Sequence, residues 1–157
     1  MNYTEKDLNK ISTALLDNFK TYTDDQNSLV IALQGNLGSG KTTLVQTLAK
    51  TLGLKEHVQS PTFVLQKNYL LPKSLRHPFL RLVHIDAYRI EDADEMKQLN
   101  FQDTLEQPNT LTIIEWPEQI SELIPQDALS IKLEYNTQES RNVEIEFSDQ
   151  NITSILE

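Results

Sequence analysis

Gly35-Asn36-Leu37-Gly38-Ser39-Gly40-Lys41-Thr42 is the stretch whose reading decides the fold. Its order (glycine, a four-residue spacer, glycine, lysine, hydroxyl residue) is that of a phosphate-binding loop. The chemistry requires these residue types. A polyphosphate must lie against successive backbone N–H groups, so glycine is needed where a Cβ would block the approach or φ must be positive. A helix that starts at the loop adds free N–H groups and a partial positive charge. Gly35, Gly38, Ser39, Gly40, Lys41 and Thr42 are therefore the candidate cradle, with the Lys41 ammonium on the outer phosphates and the Thr42 hydroxyl available to Mg²⁺. Three of the four glycines in the chain fall within these eight positions.

The flanks fit that reading. Leu29-Val30-Ile31-Ala32-Leu33 is a continuous apolar run, which suits a strand buried on both faces. Leu44, Val45, Leu48, Ala49 and Leu52 form a helical stripe that ends at Gly53. Further out, Thr4 and Asp7 have capping-box spacing ahead of Leu8, Ile11, Leu15 and Phe19, which predicts a helix from Glu5 to Lys20. A polar turn follows over 23–27. Thr62–Tyr69, Leu80–Ile85 and Leu111–Ile114 read as strands, Asp94–Gln98 as a short acidic helix, and Pro117 as the first turn of a helix reaching Leu123. Ser130–Tyr135 and Val143–Phe147 alternate like strands, with 136–141 as a hairpin loop and 151–156 as a closing helix. The class is α/β, in one domain over 1–157, with an antiparallel pair at the C-terminal edge.

Composition narrows the function. A chain of 157 residues buries about two-thirds of its unfolded surface and needs no staples. With no cysteine, thiolate chemistry, disulfides and Cys-ligated metals are excluded. No apolar run approaches the ~20 residues of a membrane span, and the first residues have no leader-like pattern; a cytoplasmic protein without membrane contact is expected. The formal charge of −9 opposes stable DNA binding. The charge is uneven: five bases against one acid over 67–89, seven acids against two bases over 127–157. The basic segment is either a solvated face or a loop that meets an acidic partner or RNA, and composition leaves both readings open.

A phosphate loop needs a carboxylate from a neighbouring strand end. Asp86 follows Leu82-Val83-His84-Ile85 and Glu115 follows Leu111-Thr112-Ile113-Ile114, so both project where ligands bind in open α/β sheets. Thr42, Asp86 and Glu115 are the candidate metal ligands. Either acid can hold the ion while the other orients water. Ser60-Pro61-Thr62-Phe63 occupies the position of a switch segment, where the Thr62 hydroxyl can sense the outer phosphate or the metal; a plain strand start reads equally well. Trp116 reads first as a packing or partner-anchoring residue, with base stacking as the alternative. His84 reads as a strand-face residue and not a ligand, and His57 and His77 as loop histidines.

Together these motifs resemble the TsaE family of bacterial tRNA threonylcarbamoyladenosine biosynthesis. The segments that carry the resemblance are Gly35–Thr43, Ser60-Pro61-Thr62-Phe63, His84-Ile85-Asp86-Ala87-Tyr88-Arg89 and Glu115-Trp116-Pro117-Glu118. It implies a P-loop NTPase-like three-layer sandwich, with a mostly parallel central sheet and an antiparallel C-terminal hairpin at its edge. It further implies ATP and Mg²⁺ as cofactors, weak intrinsic ATPase activity, and association with the TsaD–TsaB pair that threonylcarbamoylates tRNA adenosine 37. Contact with tRNA would then be indirect. By motif, Gly38 to Thr43 would cradle the phosphates, so Thr43 joins the candidates; Thr42 and Glu115 would bind Mg²⁺ and Asp86 would support hydrolysis beside Lys41. Glu5 and Arg141, the latter in the hairpin loop, would lie near the nucleotide. Two other classes share the loop: a small-molecule or nucleoside kinase, and a binding module in which nucleotide only sets conformation.

Overall fold

In a computed structural model, residues 1–20, 24, 26–135, 141–147 and 150–151 are described. The strands are β1 (Asn2–Tyr3), β2 (Leu29–Gln34), β3 (Gln66–Leu70), β4 (Arg81–Asp86), β5 (Thr110–Glu115), β6 (Leu129–Tyr135), β7 (Arg141–Phe147) and β8 (Gln150–Asn151). The helices are α1 (Leu8–Phe19), α2 (Lys41–Thr51), α3 (Asp94–Gln98) and α4 (Phe101–Leu105), with 3₁₀ segments at Glu5–Asp7 and Pro117–Leu123. One sheet runs β1-β7-β6-β2-β5-β4-β3, and β8 pairs with β7. Its centre, β6-β2-β5-β4, is parallel, while β1, β3, β7 and β8 add antiparallel strands.

The parallel centre exists because its strands are apolar on both faces. Along β2, Leu29, Ile31 and Leu33 pack with α1 and α2, while Val30 joins the cluster on the opposite face. In α1 the buried residues Leu8, Ile11, Ser12, Leu15, Leu16 and Phe19 recur at helical spacing and form a single stripe. Val83, Ile85 and Ile114 line the second face under Met96, Phe101, Leu105 and Ile120. The result is three layers. Each Leu or Ile buried this completely contributes about 1.5–3 kcal/mol.

Several expectations are corrected. The strand expected from Thr62 begins at Gln66, because Val64 and Leu65 both donate to the Pro61 carbonyl (2.9 and 2.7 Å) and close a turn. The helix after Pro117 is a 3₁₀ segment broken at Ile120, whose φ of −132° and ψ of 32° are not helical. Helix α1 starts at Leu8, one turn after the expected Glu5; Thr4 donates its N–H and hydroxyl to the Asp7 carboxylate there (3.0 and 2.8 Å). Arg141, expected in a hairpin loop, opens β7 opposite Tyr3 of β1. Asn151, expected to begin a helix, pairs with Glu146. The loop expected at 136–140, the rest of the closing helix at 152–156, and positions 23 and 25 of the polar turn lie outside the described residues.

Candidate nucleotide site

Strand β2 delivers the chain to Gly35, where the phosphate loop turns into α2. At Gly35 φ is +146°, and an added Cβ would stand 2.4 Å from the Leu133 carbonyl oxygen, so no side chain fits. Gly40, the residue before α2, has φ +96°, a left-handed conformation that an L side chain resists. No side chain caps the helix, so its first N–H groups remain available. Lys41 folds back and donates to the Gly35 and Asn36 carbonyls (2.6 and 3.1 Å), and its ammonium lies 4.0 Å from the Trp116 ring centroid. Burial pushes the Lys41 ammonium below the ordinary lysine range, against the pull of Glu115, Glu118 and Asp86.

The parallel register of β4 and β5 sets Asp86 directly beside Glu115. Both are buried, at 3% and 2% exposure, so both carboxylates need donors. Glu115 receives the Thr42 hydroxyl (3.0 and 3.1 Å) and the Nε2 of His84 (2.8 Å). Asp86 receives Thr62 (2.6 Å) and Ser60 (3.2 Å) on Oδ2 and the Tyr88 backbone N–H (3.0 Å) on Oδ1. The Thr42 proton is thereby directed at Glu115, which leaves the hydroxyl lone pairs free for a cation. Hard oxygen donors of this kind, two carboxylates and a hydroxyl, suit Mg²⁺. No group of three or more His, Cys, Asp or Glu residues placed to hold a metal occurs among the described residues.

Gly38, Gly40, Lys41, Thr42 and Thr43 share one cleft of about 340 Å³ with Thr62, Asp86, Glu115 and Arg141. Two predicted residues stand behind it: the Gly35 carbonyl holds Lys41, and Ser39 is buried at 1% exposure. The side chain of Glu5 lies outside the described part. A larger depression, about 580 Å³, sits at the other end of α2 beside Lys50, Lys55 and His57. None of the buried polar or charged side chains lines it, so the cleft is the stronger candidate.

Five contributors, Ser60, Tyr88, Trp116, Tyr3 and His84, are not among the sequence-predicted site residues. Ser60 reaches Asp86, and Tyr88 both lends its N–H and packs on Trp116 (centroids 5.0 Å apart). Trp116 itself has φ +58°, a left-handed backbone, and roofs Lys41. Tyr3 backs the loop, with its hydroxyl 3.5 Å from the Ser39 carbonyl; burial pushes its phenol up to about 12, against the pull of Arg141. His84, which lies on a strand face as expected, bonds the site carboxylate Glu115, and the loop residue His77 is buried against Leu52 (3.1 Å to its carbonyl). Arg89, whose guanidinium covers the Phe63 ring at 4.4 Å, ties the switch-like segment to the end of β4.

The family model described as "Threonylcarbamoyl adenosine biosynthesis protein TsaE" matches residues 3–143. A Haemophilus influenzae protein named tRNA threonylcarbamoyladenosine biosynthesis protein TsaE is 27% identical over 120 residues, covering 76% of this chain and 71% of the relative. A Nostoc protein of the same name is 37% identical over 119 residues, covering 74% and 68%. The crystal structure of Bacillus subtilis YdiB shares the fold, with a TM-score of 0.62 at 23% identity over 91% of this chain and 82% of that one. No helix among the described residues is long and apolar enough to cross a membrane.

Proposed function

Because the chain belongs to the TsaE family of tRNA threonylcarbamoyladenosine biosynthesis, we propose that it is a Mg²⁺-dependent ATPase of the cytoplasm. Its nucleotide cycle supports the TsaD–TsaB pair, and tRNA meets it only through that complex. The observation that carries the reading is the convergence of Lys41, Thr42, Asp86 and Glu115 on one cleft at the start of α2.

Each residue has a task. The loop N–H groups and the α2 terminus bind phosphate oxygens. Lys41 has three N–H donors and spends two on loop carbonyls, which leaves one for a phosphate oxygen. Thr42 and Glu115 hold the cation, which when bound neutralises charge that develops on the phosphates during transfer. Asp86 has about four acceptor positions, of which three are used, so one is left to take a proton of the attacking water and orient it. Thr62, fixed to that same carboxylate, couples the Pro61 turn to whether the outer phosphate is present.

The test is phosphate release from ATP by the purified chain, alone and with TsaD and TsaB. Slow release that EDTA abolishes, and that the pair accelerates, is expected. Glu115→Gln should lower the rate by more than the roughly 10–100-fold typical of losing an outer-shell partner, because it takes a charged ligand from the cation itself. No release in either condition would overturn the reading.

A further inference from the structure

We propose that His84 is a positioning residue: its Nε2–H holds the Glu115 carboxylate in the orientation that lets Glu115 and Thr42 share a cation. The inference rests on the Mg²⁺–ATP reading of the cleft.

Alternation along β4 puts His84 on the same face as Asp86, two residues on. His84 pairs in register with Ile113, so Glu115, two residues further along β5, is its diagonal neighbour. The ring is fully buried at 0% exposure and its Nε2 lies 2.8 Å from Glu115 Oε1. Its Nδ1 is buried with no hydrogen-bond partner among the described residues. That asymmetry fixes the tautomer. A carboxylate offers only acceptors, so Nε2 carries a proton and donates it to Glu115. A hydrocarbon of similar size would fill this space without an unpaired nitrogen. Packing therefore does not account for an imidazole here; the N–H···O bond does.

The bond also has a direction. Oε1 takes His84 and one contact from Thr42, while Oε2 accepts only the Thr42 hydroxyl among the described residues. Tying Oε1 to a ring held in the sheet stops rotation of the carboxylate, so Oε2 keeps a lone pair for the ion. Outer-shell partners of this kind typically change metal affinity or activity 10–100-fold when removed.

The experiment compares wild type, His84→Leu and His84→Gln. Nucleotide affinity is read by Trp116 fluorescence as Mg²⁺ is titrated, with circular dichroism confirming the fold. His84→Leu should need 10–100-fold more Mg²⁺ while its ATP affinity in EDTA stays at the wild-type level. His84→Gln, whose amide nitrogen reaches the Nε2 position, should recover most of the loss. An unchanged Mg²⁺ requirement in His84→Leu, or failure of both variants to differ from each other, overturns the proposal. If wild type shows no Mg²⁺ effect at all, the fault lies with the ATPase reading. A second measurement is independent of any variant's folding: long-range ¹⁵N–¹H spectra of wild type should show two buried rings protonated at Nε2, since the Leu52 carbonyl holds His77 as Glu115 holds His84, and one of the two signals should move when Mg·ADP is added. Protonation at Nδ1 alone on the ring that responds to Mg·ADP, or a response from neither ring, would sink the proposal even if every variant behaved.

Discussion

Asp86 and Glu115 end adjacent parallel strands side by side, yet opposite kinds of structure hold them. Glu115 is gripped from regular elements, by Thr42 of α2 and His84 of β4. Asp86 is gripped from irregular ones, by Ser60 and Thr62 around the Pro61 turn and by the N–H of Tyr88. Both acids are equally buried, so burial does not separate them. The supports do. A carboxylate fixed by sheet and helix is preorganised before any ligand arrives, whereas one held by loop hydroxyls can be released or re-aimed when the loop moves. Under the proposed function, this division would give the cation to the rigid half of the cleft and the response to nucleotide to the loop-held half.

The sharpest way to break the comparison is Lys41→Ala, which attacks the rigid half at its anion contact. A charge-assisted bond contributes about 1.5–3 kcal/mol, so ATP affinity should fall roughly 10- to 100-fold at about 1.4 kcal/mol per decade. Calorimetric titration with ATP reads this; unchanged affinity would mean the phosphates sit elsewhere. A smaller effect is expected in the loop half. Thr62→Val keeps the β-branched shape but removes the 2.6 Å bond to Asp86, with Ser60 left as a longer substitute at 3.2 Å. Turnover should drop about tenfold or less with ATP affinity changed under threefold; an equal loss of affinity would erase the distinction between the halves.

The smallest effect concerns the brace behind the loop. Tyr3 ionises near 10 when unfolded and only near 12 in the native chain. Its contribution to stability is complete below pH 10 and is lost as pH rises toward 12, because the unfolded state gives up a proton the folded state keeps. The slope from one such group is at most about 1.4 kcal/mol per pH unit. Tyr3→Phe should flatten urea-unfolding stability across that window without abolishing the slope, since burial raises Tyr69 as well. An unaltered slope would remove Tyr3 from the account.

What was legible in both halves was local pattern. Gly35 to Thr42 carries its own pattern, and each acid ends an apolar run, so local sequence suffices to place Lys41, Thr42, Asp86 and Glu115. What sequence left unread depends on pairing between distant segments. His84 and Glu115 are neighbours only through the register of β4 on β5, which alternation along one strand cannot reveal; the two-residue spacing of His84 and Asp86 was the available clue. Strand β1 has two residues, too few to show any period, so Arg141 was placed in a loop instead of opposite Tyr3. Thr62-Phe63-Val64 has the β-branched and aromatic character of a strand. The two N–H groups that Pro61 collects turn it back before the ladder begins. Trp116 departs from local preference altogether, since its left-handed backbone is held by its setting between Lys41 and Tyr88.

The pairing of Asp86 with Glu115 has one more consequence. Their separation is measured by the main-chain ladder, whose strands stand about 4.8 Å apart whatever side chains they bear. Substitutions in the interior can drift, costing or adding stability, while the gauge between the two acids stays as it was. Only an inserted or deleted residue in β4 or β5 would reset it, and that would turn one acid to the far side of the sheet.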